Sequence, residues 1–358
     1  TASNPMNTSA LTLEPGDRVP NFVLPNHEGN GIMFYNKTHG GPVLLMLYGR
    51  NDNAESRREL AGFFERRDEL AALVAEHELT LPVMADLMGK ITDSLVRAVS
   101  PTGEAPSFDE DMPVMVLALD RNQRLLKALR RDGDGPGGRS LAEQSLDLLR
   151  SEVPRIESQT LSMTAPALLL PNMLEPELCR KLIGVWETQG HEEGLVAAMK
   201  DGKDMHTVDY SKKKRLDHII RDDDLNGMLI RKIGPRIAEE VFKAFLFEDF
   251  YLERCVIGTY EASRADRFRP HRDNLGAYLA SRRFAVSLNL NDGYEGGGIT
   301  FPEYGPHVYN VPAGAAVIFS CSLIHEALPV TRGRRIVLLT FLRDRQNRPH
   351  PWSMASSQ

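Results

Sequence analysis

Residues 259–274, TYEASRADRFRPHRDN, and residues 321–342, CSLIHEALPVTRGRRIVLLTFL, decide how the chain is read. His271-Arg272-Asp273 is the only His-x-Asp tripeptide in the sequence; His325 follows Asp273 by 52 residues and precedes Arg335 by ten. A lone His-x-Asp is weak, since a surface loop pair reads the same way. With His325 the set becomes two imidazoles and a carboxylate, which suit one face of an octahedral ferrous ion and leave three positions open. Zinc would prefer a closed tetrahedron or a single open position. Arg335 lies in an apolar strand, RIVLLTFL. A guanidinium buried there is costly without a partner, so it is expected to hold a carboxylate, and its fork of donors suits a diacid.

Outward from these stretches the second half reads as short strands: Leu252–Tyr260, Arg283–Leu290, His307–Val311, Ala315–Phe319 and Arg335–Leu342. Turns rich in Gly and Pro separate them, GYEGGG, PEYGP, VPAGA and TRGR, and helical patterns precede them at Pro176–Glu187 and Leu225–Phe245. That pattern predicts an all-β sandwich or a jelly roll with supporting helices. In FAVSLNL, residues 284–290, Ala285, Ser287 and Asn289 share one face of a strand and are expected to line a pocket. GYEGGGITF joins two strands and lacks the Lys-Ser/Thr of a phosphate loop, so it reads as a tight turn.

From about Ala167 to Arg343 these features resemble the prolyl 4-hydroxylase-like branch of the Fe(II)- and 2-oxoglutarate-dependent dioxygenases. LLLPNMLEPELCRKLI, the two ligand stretches, YEGGGITFPEYG and VPAGAAVIFS all match in order and spacing. The resemblance implies a double-stranded β-helix fold, with His271, Asp273 and His325 as iron ligands. It further implies that Arg335 binds the distal carboxylate of 2-oxoglutarate and that Tyr260 contacts the same co-substrate. Arg334 is adjacent, and a one-residue slip would exchange the two. The implied reaction is hydroxylation of an unactivated C–H in an amino acid, a peptidyl residue or a small metabolite. It consumes O₂, releases succinate and CO₂, and takes ascorbate as reductant. Halogenation is not expected, because Asp273 fills the place a halide would need.

The first half alternates strands and helices: Pro42–Tyr48, a helical pattern from Leu60 to Val74, Leu79–Ala85, a helix over Leu87–Val99, Pro113–Leu119, Arg124–Arg130, and a helix capped by Ser140 through Arg150. This predicts an α/β domain with a partly parallel sheet. PGDRVPNFVLPNHEGN, PVLLMLYGRNDNAESRREL and PVMVLALDRNQRLL resemble a thioredoxin-like domain of the peroxiredoxin type. The position of that family's peroxidatic Cys falls at about Ser56, and no cysteine precedes Cys179. A serine hydroxyl does not attack peroxide as a thiolate does. The expected organisation is therefore a peroxiredoxin-like domain without peroxidase activity over residues 6–155 and an oxygenase domain over 163–350, with the polar stretch Ser151–Ser162 between them. A scaffold in which both domains have lost catalysis is the competing reading; a thiol peroxidase is a poor third.

The 358 residues carry 43 Lys+Arg against 49 Asp+Glu, a formal charge of −6, which gives no basic excess for nucleic acid. Three scattered cysteines form neither a disulfide framework nor a CxxC motif, as expected of a reducing, cytoplasmic compartment. No apolar run approaches the ~20 residues of a membrane span, so no membrane partner is expected. Thr1–Pro5 read as residues ahead of a natural start at Met6. Lys212–Arg215 (KKKR) reads as a solvated face. The segment His206–Arg221 is a candidate substrate lid, while His206, His218 and His307 stand alone and read as structural or exposed. A homodimer is the oligomer that a peroxiredoxin-like half would favour.

Overall fold

The computed structural model describes residues 12–26, 28–38, 40–48, 54–73, 90–100, 114–131, 138–153, 160–200, 203–276 and 278–346. The strand expected at Leu79–Ala85, the start of the helix expected from Leu87, and the domain limits at 6, 155 and 350 lie outside them. The chain divides into two compact units, Thr1–Ser158 and Gln159–Gln358.

In the first unit Val43–Leu47, Met115–Leu119 and Leu125–Arg130 form a three-stranded sheet in that order. Both of its pairings are antiparallel, where a partly parallel sheet was expected. Met115–Leu119 is buried along its whole length because it is apolar on both faces. Met115, Leu117 and Leu119 pack with Leu95 and Val96, whereas Val116 and Ala118 pack with Leu141 and Phe63. The helix expected over residues 60–74 is two helices, Ala54–Glu65 and Arg67–Leu73. Arg66 at the break pairs with Glu69 and with Glu143 of the helix Leu141–Glu152. That last helix begins as the sequence indicates, with a reciprocal capping box between Ser140 and Glu143. Ser56, only 3% exposed, lies in the first turn of Ala54–Glu65, and one turn on Glu59 accepts from the Leu141 backbone N–H (2.8 Å) and from Arg131 (3.1 Å).

In the second unit two antiparallel sheets carry the architecture. The larger runs Ala167–Leu170, Ala316–Ser320, Arg282–Asn289, Arg334–Asp344, Val256–Glu261, Leu216–Ile219 and Glu192–Glu193, with Phe250–Leu252 also paired to Arg334–Asp344. The smaller runs Lys213–Lys214, Arg267–His271, His325–Ala327, Ile299–Thr300 and Val308–Tyr309. The strand expected over Leu252–Tyr260 is interrupted at residues 253–255, so its two parts are separate strands. Alternation sorts each long strand into two faces. Phe284, Val286 and Leu288, with Ile336, Leu338 and Leu342, pack under the helices Pro176–Gln189 and Asp223–Phe245 through Leu182, Trp186, Leu229 and Ile233. Each such fully buried side chain contributes about 1.5–3 kcal/mol. The alternate residues turn inward: Ala285 packs with Phe301, Val317 and Phe319 in a separate interior cluster. Asp222 caps the long helix, accepting from the N–H groups of Asp224 and Leu225 (both 3.0 Å). No helix among the described residues is long and apolar enough to cross a membrane.

Candidate metal centre

His271 ends the strand Arg267–His271, and His325 begins the strand His325–Ala327; the two strands are antiparallel and pair these histidines with each other. Their rings lie 4.2 Å apart. Asp273 follows His271 in a turn that is pinned to the end of a neighbouring strand: its N–H donates to the Cys321 carbonyl (3.0 Å), and Asn274 donates to the Ser322 hydroxyl (2.8 Å). The Asp273 carboxylate then bridges both imidazoles, 3.4 Å from His271 Nε2 and 3.3 Å from His325 Nε2. Ligand atoms of all three residues lie within 4.8 Å of one another.

Each histidine is oriented by a backbone carbonyl. His271 Nδ1 meets Arg269 O at 2.7 Å, and His325 Nδ1 meets Leu323 O at 3.1 Å. With the proton on Nδ1, both Nε2 lone pairs face the carboxylate, the arrangement by which outer-shell carbonyls prepare metal-binding histidines. Burial lowers the pKa of His271 and so favours the neutral ring that a metal requires. Burial pushes Asp273 upward, but His325 and His271, in their protonated forms, outweigh it and hold the carboxyl well below its ordinary range. Phe268 stacks on His271 at 3.4 Å, and Phe319 lies 4.5 Å from the His325 ring. The donor set therefore fits a divalent ion of ferrous type, and all three side chains line the same cavity.

The three residues, Tyr260 and Arg335 all line one cavity of about 1340 Å³. Arg335 is 2% exposed and pairs across the sheet with Tyr260, whose ring lies 5.8 Å from the guanidinium. Its partners are all neutral: Asn289 Oδ1 from Nε (3.0 Å) and Nη2 (2.8 Å), Gly297 O from Nη1 (2.8 Å), and Ser287 Oγ from Nη2 (3.3 Å). The carboxylate expected for it is not supplied by any described residue. Arg334 points to the opposite face, where it pairs with Glu187 at 2.8 Å and covers Trp186. The GYEGGG turn matters here. Gly297 has φ +69°, and a Cβ on it would sit 2.8 Å from Val330 Cγ2 and 3.2 Å from Arg335 Cδ, so only glycine lets its carbonyl reach the guanidinium.

The solvated reading of Lys212–Arg215 does not hold. Lys213 is 5% exposed and Arg215 is largely buried; both line the cavity, as does the more exposed Lys212. Asp217 accepts from Lys213 Nζ (2.9 Å) and from Arg215 Nε (2.5 Å) and Nη2 (2.9 Å). Burial works against the charge of Asp217, yet Arg215 and Lys213 prevail and lower its pKa. Arg215 Nη1 also donates to the Tyr260 hydroxyl at 3.2 Å. A run of like charges hides this arrangement in sequence, and because Lys213 and Asp217 lie on two separate short strands with Arg215 between them, no strand periodicity marks it. His206 and His218 lie at the cavity wall and His307 is exposed.

The three cysteines, Cys179, Cys255 and Cys321, are free and buried in the second unit. Burial pushes the Cys179 thiol up to about 11 and the Cys255 thiol to about 12, and raises Cys321 well above its ordinary range. None offers the accessible thiolate that a peroxidase needs.

No protein-family model matches the chain. It is similar to a PKHD-type hydroxylase of Maricaulis maris, 32% identical over 102 residues that make up 27% of this chain and 45% of that protein. A PKHD-type hydroxylase of Burkholderia thailandensis is 32% identical over 117 residues, 30% of this chain and 52% of that one. The chain thus spans about half the length of these curated relatives. Among solved structures, a prolyl-4-hydroxylase of Pseudomonas putida superposes with a TM-score of 0.41 at 17% identity, covering 51% of this chain and 94% of the other.

Proposed function

We propose that the second unit is an Fe(II)- and 2-oxoglutarate-dependent oxygenase: substrate C–H, O₂ and 2-oxoglutarate yield the hydroxylated product, succinate and CO₂. The observation that carries this reading is the convergence of His271, Asp273 and His325 in one cavity with a buried, acid-free Arg335. Similarity to PKHD-type hydroxylases supports it. His271, Asp273 and His325 would hold the iron, which supplies O₂ activation when bound.

The remaining work falls to the chain itself. Arg335 has five N–H donors and gives four bonds to neutral acceptors, so an Nη1–H is left for a ligand. Its charge is likewise uncompensated, and a distal carboxylate of 2-oxoglutarate answers both needs. Because Asn289 grips both Nε and Nη2, the fork is held before the ligand arrives and little ordering is left to be done on binding. The Tyr260 hydroxyl accepts from Arg215, which leaves its own proton to donate to the same co-substrate. Phe268 and Phe319 wall the metal site and exclude water from around it. For the first unit we infer a non-catalytic role: a buried serine, Ser56, stands at the position of the reactive cysteine in the peroxiredoxin resemblance.

Full-length protein given ferrous iron, 2-oxoglutarate, ascorbate and air should release succinate, slowly without substrate. Asp273→Ala and His271→Ala should abolish both succinate release and iron retention by metal analysis. Full turnover in either variant overturns the ligand assignment. Wild-type protein that neither retains iron nor releases succinate would instead be a binding protein built on a silent oxygenase scaffold.

A further inference from the structure

Lys213 and Arg215 share one acid. Asp217 neutralises one of the two charges, and both cations line the cavity that holds the metal centre. The Lys213 ammonium has three donors: one goes to Asp217, one to the Leu195 carbonyl at 3.1 Å, and the third has no partner among the described residues. The position is built rather than incidental. Gly194 closes over it so tightly that a Cβ there would lie 2.6 Å from Lys213 Cε and 2.7 Å from both Lys213 Nζ and Asp217 Oδ2. On its other side the ammonium stands 5.5 Å from the Phe268 ring, which itself stacks on His271 at 3.4 Å. An anion held by Lys213 would therefore sit one aromatic ring away from a metal ligand.

Arg335 is the cation assigned to 2-oxoglutarate, and it lies on a different strand, with Tyr260 between it and Arg215. The Lys213–Arg215 charge is thus in excess of what the co-substrate neutralises. One free N–H and one surplus charge match a carboxylate, which brings a single negative charge; a phosphate dianion would bring two. Resting on the oxygenase reading above, we propose that Lys213 anchors a carboxylate of the molecule to be oxidised, so that the substrate is an acid, either free or presented as an acidic side chain.

The test uses the full chain loaded with Mn(II) and 2-oxoglutarate, titrated at constant ionic strength with acetate, acetamide and the peptide acetyl-Gly-Glu-Gly-amide, and follows the thermal midpoint. Acetate or the peptide should raise the midpoint while acetamide does not. Lys213→Met should weaken that response at least about tenfold, and Lys213→Arg should restore part of it. Gly194→Ala, which displaces the ammonium without removing it, should weaken the response in the same direction. The KM for 2-oxoglutarate in succinate release should stay unchanged in Lys213→Met. A response to acetate alone identifies a free acid, and a response to both identifies an acidic side chain. Equal responses to acetate and acetamide, no response to either carboxylate, or an undiminished response in Lys213→Met would overturn the proposal. A raised KM for 2-oxoglutarate in that variant would also overturn it, by making this cluster the co-substrate site. Carboxylate binding in a protein that releases no succinate removes the oxygenase reading and leaves the anion site standing.

Discussion

Replacing Asp217 by asparagine keeps the shape of the cavity wall and removes the carboxylate that pairs with two neighbouring cations. Asp217 accepts three bonds, from Lys213 at 2.9 Å and from Arg215 at 2.5 and 2.9 Å, in a largely buried position. Removing one partner from a buried ionic cluster costs about 3–5 kcal/mol, because it leaves charge uncompensated in a largely buried position. At roughly 2–4 °C per kcal/mol for a unit of this size, Asp217→Asn should lower the midpoint of the second unit by about 6–20 °C. The cause can be separated from a packing defect. Adding Lys213→Met to Asp217→Asn removes one of the stranded cations and should return at least half of the loss, a positive coupling of about 1.5 kcal/mol or more.

The pH dependence gives a second check. Burial, then the charge of Arg215, pushes Lys213 down to about 8 from an ordinary 10.5, while Asp217 and Asp273 act in the opposite direction. A lysine whose folded-state pKa is lowered carries its full penalty below pH 8 and sheds it as pH rises toward 10.5. The deficit of Asp217→Asn relative to wild type should therefore be largest near pH 7 and shrink by pH 9–10. Calorimetry of the intact chain at both pH values reads all of this. A midpoint within about 2 °C of wild type, or a double variant less stable than the single one, would refute the reasoning.

Glu59→Ala in the first unit should cost about 3 kcal/mol in denaturant titrations, since it strands Arg131 and removes the acceptor for the Leu141 N–H. Arg335→Met should raise the KM for 2-oxoglutarate by at least about thirtyfold, equivalent to 2 kcal/mol, with the midpoint of the metal-free protein little changed; an unaltered KM would remove Arg335 from the co-substrate site. The three buried thiols should resist an aromatic disulfide reagent in native protein and react together once guanidinium unfolds it, so a fast-reacting native thiol would contradict their burial.

The convergence of His271, Asp273 and His325 was legible because two imidazoles and a carboxylate in that order suit a metal-binding set, and the fold brings them together. The long strands were legible too, since a run such as FAVSLNL can only be a strand with two unlike faces. Alternation also puts Arg334 and Arg335 on opposite faces, but which of them turns toward the cavity is clear only once Ile336 and Leu338 are known to lie under the helices. The Lys213 site was not legible, because KKKR looks the same whether it faces water or is drawn inward by one aspartate four residues on. Two-residue strands such as Glu192–Glu193 and Lys213–Lys214 leave no periodicity to detect. They exist because longer neighbours offer them a free edge.

The pairing of His271 with His325 across two antiparallel strands has a consequence for biogenesis. Neither histidine has the other as a local neighbour, and the strand that carries Arg335 runs to Asp344, near the end of the described chain. During synthesis the ion-binding pocket cannot exist until those last residues have emerged and closed long-range contacts, which are slow to form. On the oxygenase reading, an ion could be held only after the strand that carries Arg335 has formed, and a chain released before residue 325 would lack one of the three proposed ligands.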